Sequence, residues 1–163
     1  MKPLTEQEIR TSFVNCTRGQ AKRLFVPRDL ADRPWADLDF LGWHDPQAPG
    51  RAFLVAELDG RPRGLALRRA NPAAGRAAPG MCAMCLTTHS GGVALMVAPK
   101  AGRAGQQGNS VGTYVCDDLA CSLYVRGLRQ VGAGGRLPES LTVPEKIDRT
   151  VANLAAFVAR VVS

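Results

Sequence analysis

The sequence predicts an α+β fold, an antiparallel sheet with flanking helices and a small metal-bound module. Three observations lead there. Residues 51–58 and 61–69 read as two strands joined at Asp59-Gly60, four cysteines fall into two close pairs, and residues 142–162 carry the periodicity of a long helix. The length of 163 residues suits one domain, or one domain with an appendage, and a hydrophobic content of 45% is enough for a core and excludes wholesale disorder.

Residues 4–16 read as a helix, with Leu4, Ile9, Phe13 and Cys16 near helical spacing and Thr5 and Glu8 placed as a capping box. Cys16 is expected as a buried, inert thiol on its apolar face. Residues 27–50 hold four prolines among Trp35, Phe40, Leu41 and Trp43, and read as an irregular segment pinned by aromatic anchors. Asp59-Gly60 is a hairpin signal, because both central residues of a type I′ turn need positive φ. Phe53 and Val55 alternate with Leu54, Ala56 and Leu58, so this strand is expected to be covered on both faces. Residues 70–80 form a connector rich in Ala, Gly and Pro. Residues 92–98 read as a strand, 99–108 as a glycine-rich loop, 109–115 as the returning strand, and 118–126 as a short helix closed by Gly127. Residues 132–138 read as a loop. The last helix has Ile147, Val151, Leu154, Val158 and Val161 as its seam, with Thr142 and Glu145 as a second capping box. The expected division is an N-terminal part over 1–50, packed on a main domain over 51–163.

Compartment bears on how the cysteines are read. The first residues lack the apolar stretch of a secretory signal, and no apolar run reaches the length of a membrane span, so a cytoplasmic protein without membrane insertion is expected. In a reducing compartment, close pairs among five cysteines point to metal or catalysis rather than disulfides.

Cys82-Ala83-Met84-Cys85 is one pair. After thirty intervening residues Cys116 opens the second, which closes at Cys121. Zinc takes four soft ligands in a tetrahedron, commonly as two chelating pairs. The first pair precedes a strand, a hairpin leads into Cys116, and Cys121 falls in the first turn of a helix. Knuckle, hairpin and helix make the treble-clef arrangement, with one structural Zn2+ on Cys82, Cys85, Cys116 and Cys121. The partial positive charge and free N–H groups of that helix start are expected to favour the thiolates. Other readings stand beside this one. A redox CxxC needs no second pair and has no βαβ pattern around it. A catalytic zinc keeps an open position, which four thiolates close. His89 could replace one thiolate or merely sit nearby, and His44 reads as a partly buried structural residue.

Other chemistry is sparse. The GxxxxGK[ST], HExxH and GxSxG motifs are absent. Asp29, Asp32, Asp37 and Asp39 could line a site, but read more simply as turn and cap residues. The chain is therefore expected not to be an enzyme. Its net charge of +7 is uneven: residues 46–116 carry eight Lys/Arg against two acids, and residues 29–45 carry five Asp against Arg33. Such polarity suits an acidic partner, RNA or protein.

Met81-Cys82-Ala83-Met84-Cys85, the strand over 92–97, the run from Gly108 to Cys116, and Cys121 together resemble the C-terminal treble-clef zinc finger of the bacterial elongation factor G-binding proteins of the FusB type. The likeness is strongest over residues 50–130. It implies Cys82, Cys85 and Cys116 as zinc ligands, with Cys121 where the fusidic acid resistance members of that family commonly have His. It also implies docking on elongation factor G or the ribosome. Two departures from those resistance members are expected: these 163 residues include no counterpart of their separate N-terminal helical bundle, and Ala83 stands where an aromatic residue can follow the first zinc cysteine. The expected contact residues are Lys100 and Arg103 on the glycine-rich loop, and Arg126 and Arg129 on the face of the short helix. The alternative is an RNA-binding zinc-finger protein using the same basic residues on phosphate. An enzyme built on the Asp-rich segment ranks last.

Overall fold

The computed structural model describes residues 1–70, 78–132 and 139–163. Parts of the expected connector over 70–80 and loop over 132–138 lie outside these residues. The chain runs through helices α1 (Glu6–Ser12) and α2 (Arg18–Arg23), then strands β1 (Phe40–Asp45), β2 (Ala48–Leu58), β3 (Arg61–Arg69), β4 (Ala78–Met81) and β5 (Thr88–Pro99). Helix α3 (Gly102–Gln106), strand β6 (Ser110–Cys116), and helices α4 (Cys121–Val125) and α5 (Val143–Val162) complete it. Short 3-10 turns occupy Leu30–Asp32 and Trp35–Asp37.

The fold is α+β. The six strands form one sheet, ordered β1-β2-β3-β5-β4, with β6 paired to β5. All neighbours are antiparallel. The long β5 is the hub: its end at Met96 and Val97 pairs with β3, its beginning pairs with β4, and it pairs with β6 from Val93↔Cys116 to Pro99↔Ser110. Asp59 and Gly60 take positive φ (52° and 71°), as the hairpin signal requires.

Strand β2 is covered on both faces, as its alternation predicts. Ala52, Leu54 and Ala56 enter one core with Leu65, Met96, Val115, the cysteine cluster, and Leu154, Phe157, Val158 and Val161 of α5. Phe53 and Val55 enter a second core with Ile9, Trp35, Leu41 and Trp43. In the second core Phe13 meets Phe53 edge-on (centroids 5.9 Å apart), and Trp43 lies 5.5 Å from Phe53. The indole N–H groups of Trp35 and Trp43 donate to the Leu30 and Phe25 carbonyls, so these anchors leave no buried donor unpaired.

Several elements differ from expectation: helix α3 forms within the glycine-rich loop expected over 99–108, and strand β4 begins within the expected connector. Helix α1 keeps its Thr5–Glu8 capping box but stops at Ser12. The backbone then extends so that Phe13 bridges Gly64 and the Val14 N–H donates to the Gly64 carbonyl (3.0 Å). Buried Asn15 fixes that turn-off, donating to the Ala66 and Pro99 carbonyls and accepting from the Ala66 N–H. Cys16 therefore lies off the helix and is half-buried, and a second capped helix, α2, follows. Residues 40–45 of the segment expected to be irregular form β1. Alternation there is masked because Phe40, Leu41 and Trp43 are all buried. Strand β1 pairs with β2, so residues on both sides of position 50 share the sheet.

Candidate metal centre

The cysteines come from three places that the sheet brings together. Cys82 and Cys85 sit on the turn between β4 and β5, Cys116 ends β6, and Cys121 opens α4. All four are buried. The Leu86 N–H donates to the Cys82 carbonyl and the Leu119 N–H to the Cys116 carbonyl. Both leucines take positive φ (56° each), a conformation that costs a side chain on the order of 1 kcal/mol and is held here by the surrounding turns.

The four Sγ atoms lie within 4.8 Å of one another. Cys82 Sγ is 3.6 Å from Cys121 Sγ, and Cys85 Sγ is 3.5 Å from Cys116 Sγ. A tetrahedral zinc with Zn–S bonds of about 2.3 Å needs sulfurs about 3.8 Å apart, so the residues fit the ion. Charge leads to the same place. Hydrogen bonds from Cys116, then Cys121 and Cys85, hold the Cys82 thiol far below its ordinary range. Bonds to Cys116, Cys82 and Cys85, together with burial, push Cys121 far above. Four crowded sulfurs cannot all ionise alone, and a dication removes the conflict.

Groups around the sulfurs complete the centre. The Met84 and Cys85 N–H groups donate to Cys82 Sγ (3.4 and 3.5 Å). His89 Nε2 lies 3.2 Å from Cys116 Sγ. His89 is therefore placed as a hydrogen-bond partner of a ligating sulfur, a role distinct from replacing a thiolate. Its ring stands edge-on to Tyr124 (4.8 Å), whose hydroxyl donates to Asp118 (2.8 Å). Gly92 makes the arrangement possible, because a Cβ there would stand 2.6 Å from His89 Nδ1. Sequence spacing alone missed this role, since the register of β5 shifts between His89 and Val93.

Two other elements brace the centre. From β1, His44 Nε2 meets the Asp117 carbonyl (2.5 Å), and Gly42 packs against Leu119 so closely that a Cβ would lie 2.4 Å from its Cβ. From α5, Asn153 Nδ2 donates to the Met84 carbonyl (2.9 Å).

The four basic residues expected at a contact surface occupy two separate places. Lys100 and Arg103 lie beyond the Pro99↔Ser110 pair, six residues along β5 from Val93↔Cys116 at the zinc end. At about 3.4 Å per residue that is about 20 Å. Lys100 Nζ donates to the Ser163 carbonyl (3.2 Å), and Arg103 is exposed. Arg126 forks onto Asp39 (2.6 and 2.8 Å), a bond that raises its pKa further and ties α4 to the start of β1. Arg129 pairs with Asp118 (3.2 Å) and lies over the Tyr124 ring.

A family model described as the FBP C-terminal treble-clef zinc finger matches residues 8–161. This chain belongs to that family. The match covers nearly the whole chain, N-terminal segment included, and the four-cysteine centre is its structural zinc site. No curated protein and no solved structure matches it. Among the described residues, no helix is long and apolar enough to cross a membrane.

Proposed function

We propose that this chain is a non-enzymatic zinc protein that docks on translation elongation factor G or on the ribosome. One observation carries the reading beyond family membership: exposed apolar side chains flank a rigid zinc turn. Met81, 45% exposed, immediately precedes Cys82, and Tyr114, 55% exposed, accepts the Ala83 N–H at its carbonyl. Large exposed apolar groups on a stiff scaffold suit the centre of an interface, where little ordering entropy is lost. A closed four-thiolate centre offers no open coordination position, which favours binding over catalysis at the metal.

Lys100, Arg103 and Arg129 would act at the rim, steering association with an acidic surface. Arg126, held by Asp39, would act chiefly by fixing α4. An interface of about 800 Å2 per partner is wide enough to reach both ends of the β5–β6 hairpin.

Calorimetry of the zinc-loaded chain with purified elongation factor G, free and ribosome-bound, tests this. Met81→Ser with Tyr114→Ser is expected to weaken binding about tenfold or more, mostly through faster dissociation. Lys100→Glu with Arg103→Glu is expected to slow association and flatten the salt dependence. An absence of binding at about 50 μM in both settings would remove this function and leave the zinc fold standing.

A further inference from the structure

We propose that the cleft between α2 and the β2–β3 hairpin binds a compact phosphate-chain anion, a diphosphate or triphosphate that is free or carried by a nucleotide, on Arg23, Arg51 and Arg68. The cleft has a volume of about 460 Å3 and includes all three arginines in its lining. That volume falls within the range of about 300–1,000 Å3 typical of small-molecule sites.

The charge arrangement carries the inference. Arg51 and Arg68 are directly opposite each other in the antiparallel β2–β3 register. Such pairs place their Cβ atoms about 5 Å apart, and like charges there destabilise a sheet. Among the described residues, none of the three arginines forms an ion pair, whereas Arg10, Arg69 and Arg126 each meet an acid. The lining holds one carboxylate, Asp45, whose Oδ1 already accepts the Gln47 N–H (2.9 Å). A ligand with several negative charges within a few ångströms would relieve the repulsion, and planar guanidinium groups match phosphate oxygens two at a time.

The walls are held in place. Arg10 Nη1 donates to the Ala21, Lys22 and Leu24 carbonyls (2.9–3.0 Å), fixing the end of α2 that carries Arg23. Asn15 ties the adjoining turn to β3 and to Pro99. The modest volume of about 460 Å3 favours a small ligand over a polymer. Phe53 in the floor is buried, so it offers no exposed ring for the base stacking that single-stranded RNA uses. An acidic peptide would spread single carboxylates about 7 Å apart along one side of an extended strand.

The test titrates the zinc-loaded full chain with inorganic phosphate, pyrophosphate, tripolyphosphate, ATP and GTP, and in parallel with a poly-glutamate peptide and an oligoribonucleotide. Phosphate chains are expected to bind with a Kd below about 100 μM, and single phosphate about tenfold or more weaker. Tripolyphosphate tighter than either nucleotide marks a free phosphate chain as the ligand, and the reverse order marks a nucleotide. Arg51→Gln with Arg68→Gln should weaken binding about tenfold or more, whereas Arg61→Gln at the hairpin turn should leave it unchanged. The double variant should keep its zinc and melt no lower, because a like-charge pair is removed. Bound ligand should also slow alkylation of Cys16, which lines the same cleft. The proposal is overturned by no binding of phosphate chains at about 1 mM, by equal losses in Arg61→Gln, or by tighter binding of peptide or RNA.

Discussion

Gly42 and His89 carry consequences that their neighbours in sequence do not announce. A Cβ on Gly42 would lie 2.4 Å from Leu119 Cβ, inside the loop that carries Cys116 and Cys121. Gly42→Ala is expected to cost about 1–3 kcal/mol in urea unfolding, because overpacking there must shift either β1 or the zinc loop. Gly60→Ala meets nothing within 4 Å and should show only the smaller strain of a positive φ (71°). His89→Ala removes a group placed to donate to Cys116 Sγ at 3.2 Å. Loss of such a partner typically weakens a metal site about 10–100-fold. Chelator competition should show that loss while zinc stoichiometry stays at one per chain. Stoichiometry falling to zero would instead make His89 a ligand.

At the scale of elements, α5 is both the clearest helix in the sequence and a brace for the metal centre. Its capping box is present, and Leu154, Val158 and Val161 of its expected seam are buried. The seam alone does not reveal that Asn153 reaches the Met84 carbonyl, or that Glu139 before the helix pairs with Arg149 (2.7 Å) and Lys146 (3.5 Å). Arg149, then Lys146, holds the Glu139 carboxyl below its usual range. The folded pKa thus lies under the unfolded one, about 4.3, so the stabilisation is present above that pH and is lost as pH falls through the folded value. The melting difference between the wild type and Glu139→Gln should hold from about pH 8 to about pH 6 and narrow below about pH 5, with zinc content followed in the same samples.

The legible elements share one property: their signals are local. Asp59-Gly60, the capping boxes and the cysteine pairs each specify a turn, a helix start or a chelate from adjacent residues. The β5–β6 hairpin and the start of α4 follow the same rule. Strand β1 was hidden because a strand buried on both faces shows no alternation. The end of α1 is decided by Asn15 bridging to Ala66 and Pro99, contacts 51 and 84 residues away. Arg126 read as a free surface cation because Asp39 is 87 residues distant.

For the whole molecule, the zinc centre and the sheet are one structure. The cysteines belong to the same core as Leu54, Met96 and Leu154, and β1 and α5 grip the two turns that carry them. Zinc binding is therefore coupled to folding of the larger core, and chelation should lower the melting temperature of the entire chain rather than release a local segment. The proposed docking surface beside the zinc turn would depend on that rigidity, so the metal's coordination is the decisive property. X-ray absorption at the zinc edge of the purified chain measures it most directly. Four sulfurs at about 2.3 Å, reduced to three in Cys121→Ser, is the result expected. Three sulfurs and one nitrogen at about 2.0–2.1 Å in the wild type, or well under one zinc per chain in a fully folded protein, would contradict it.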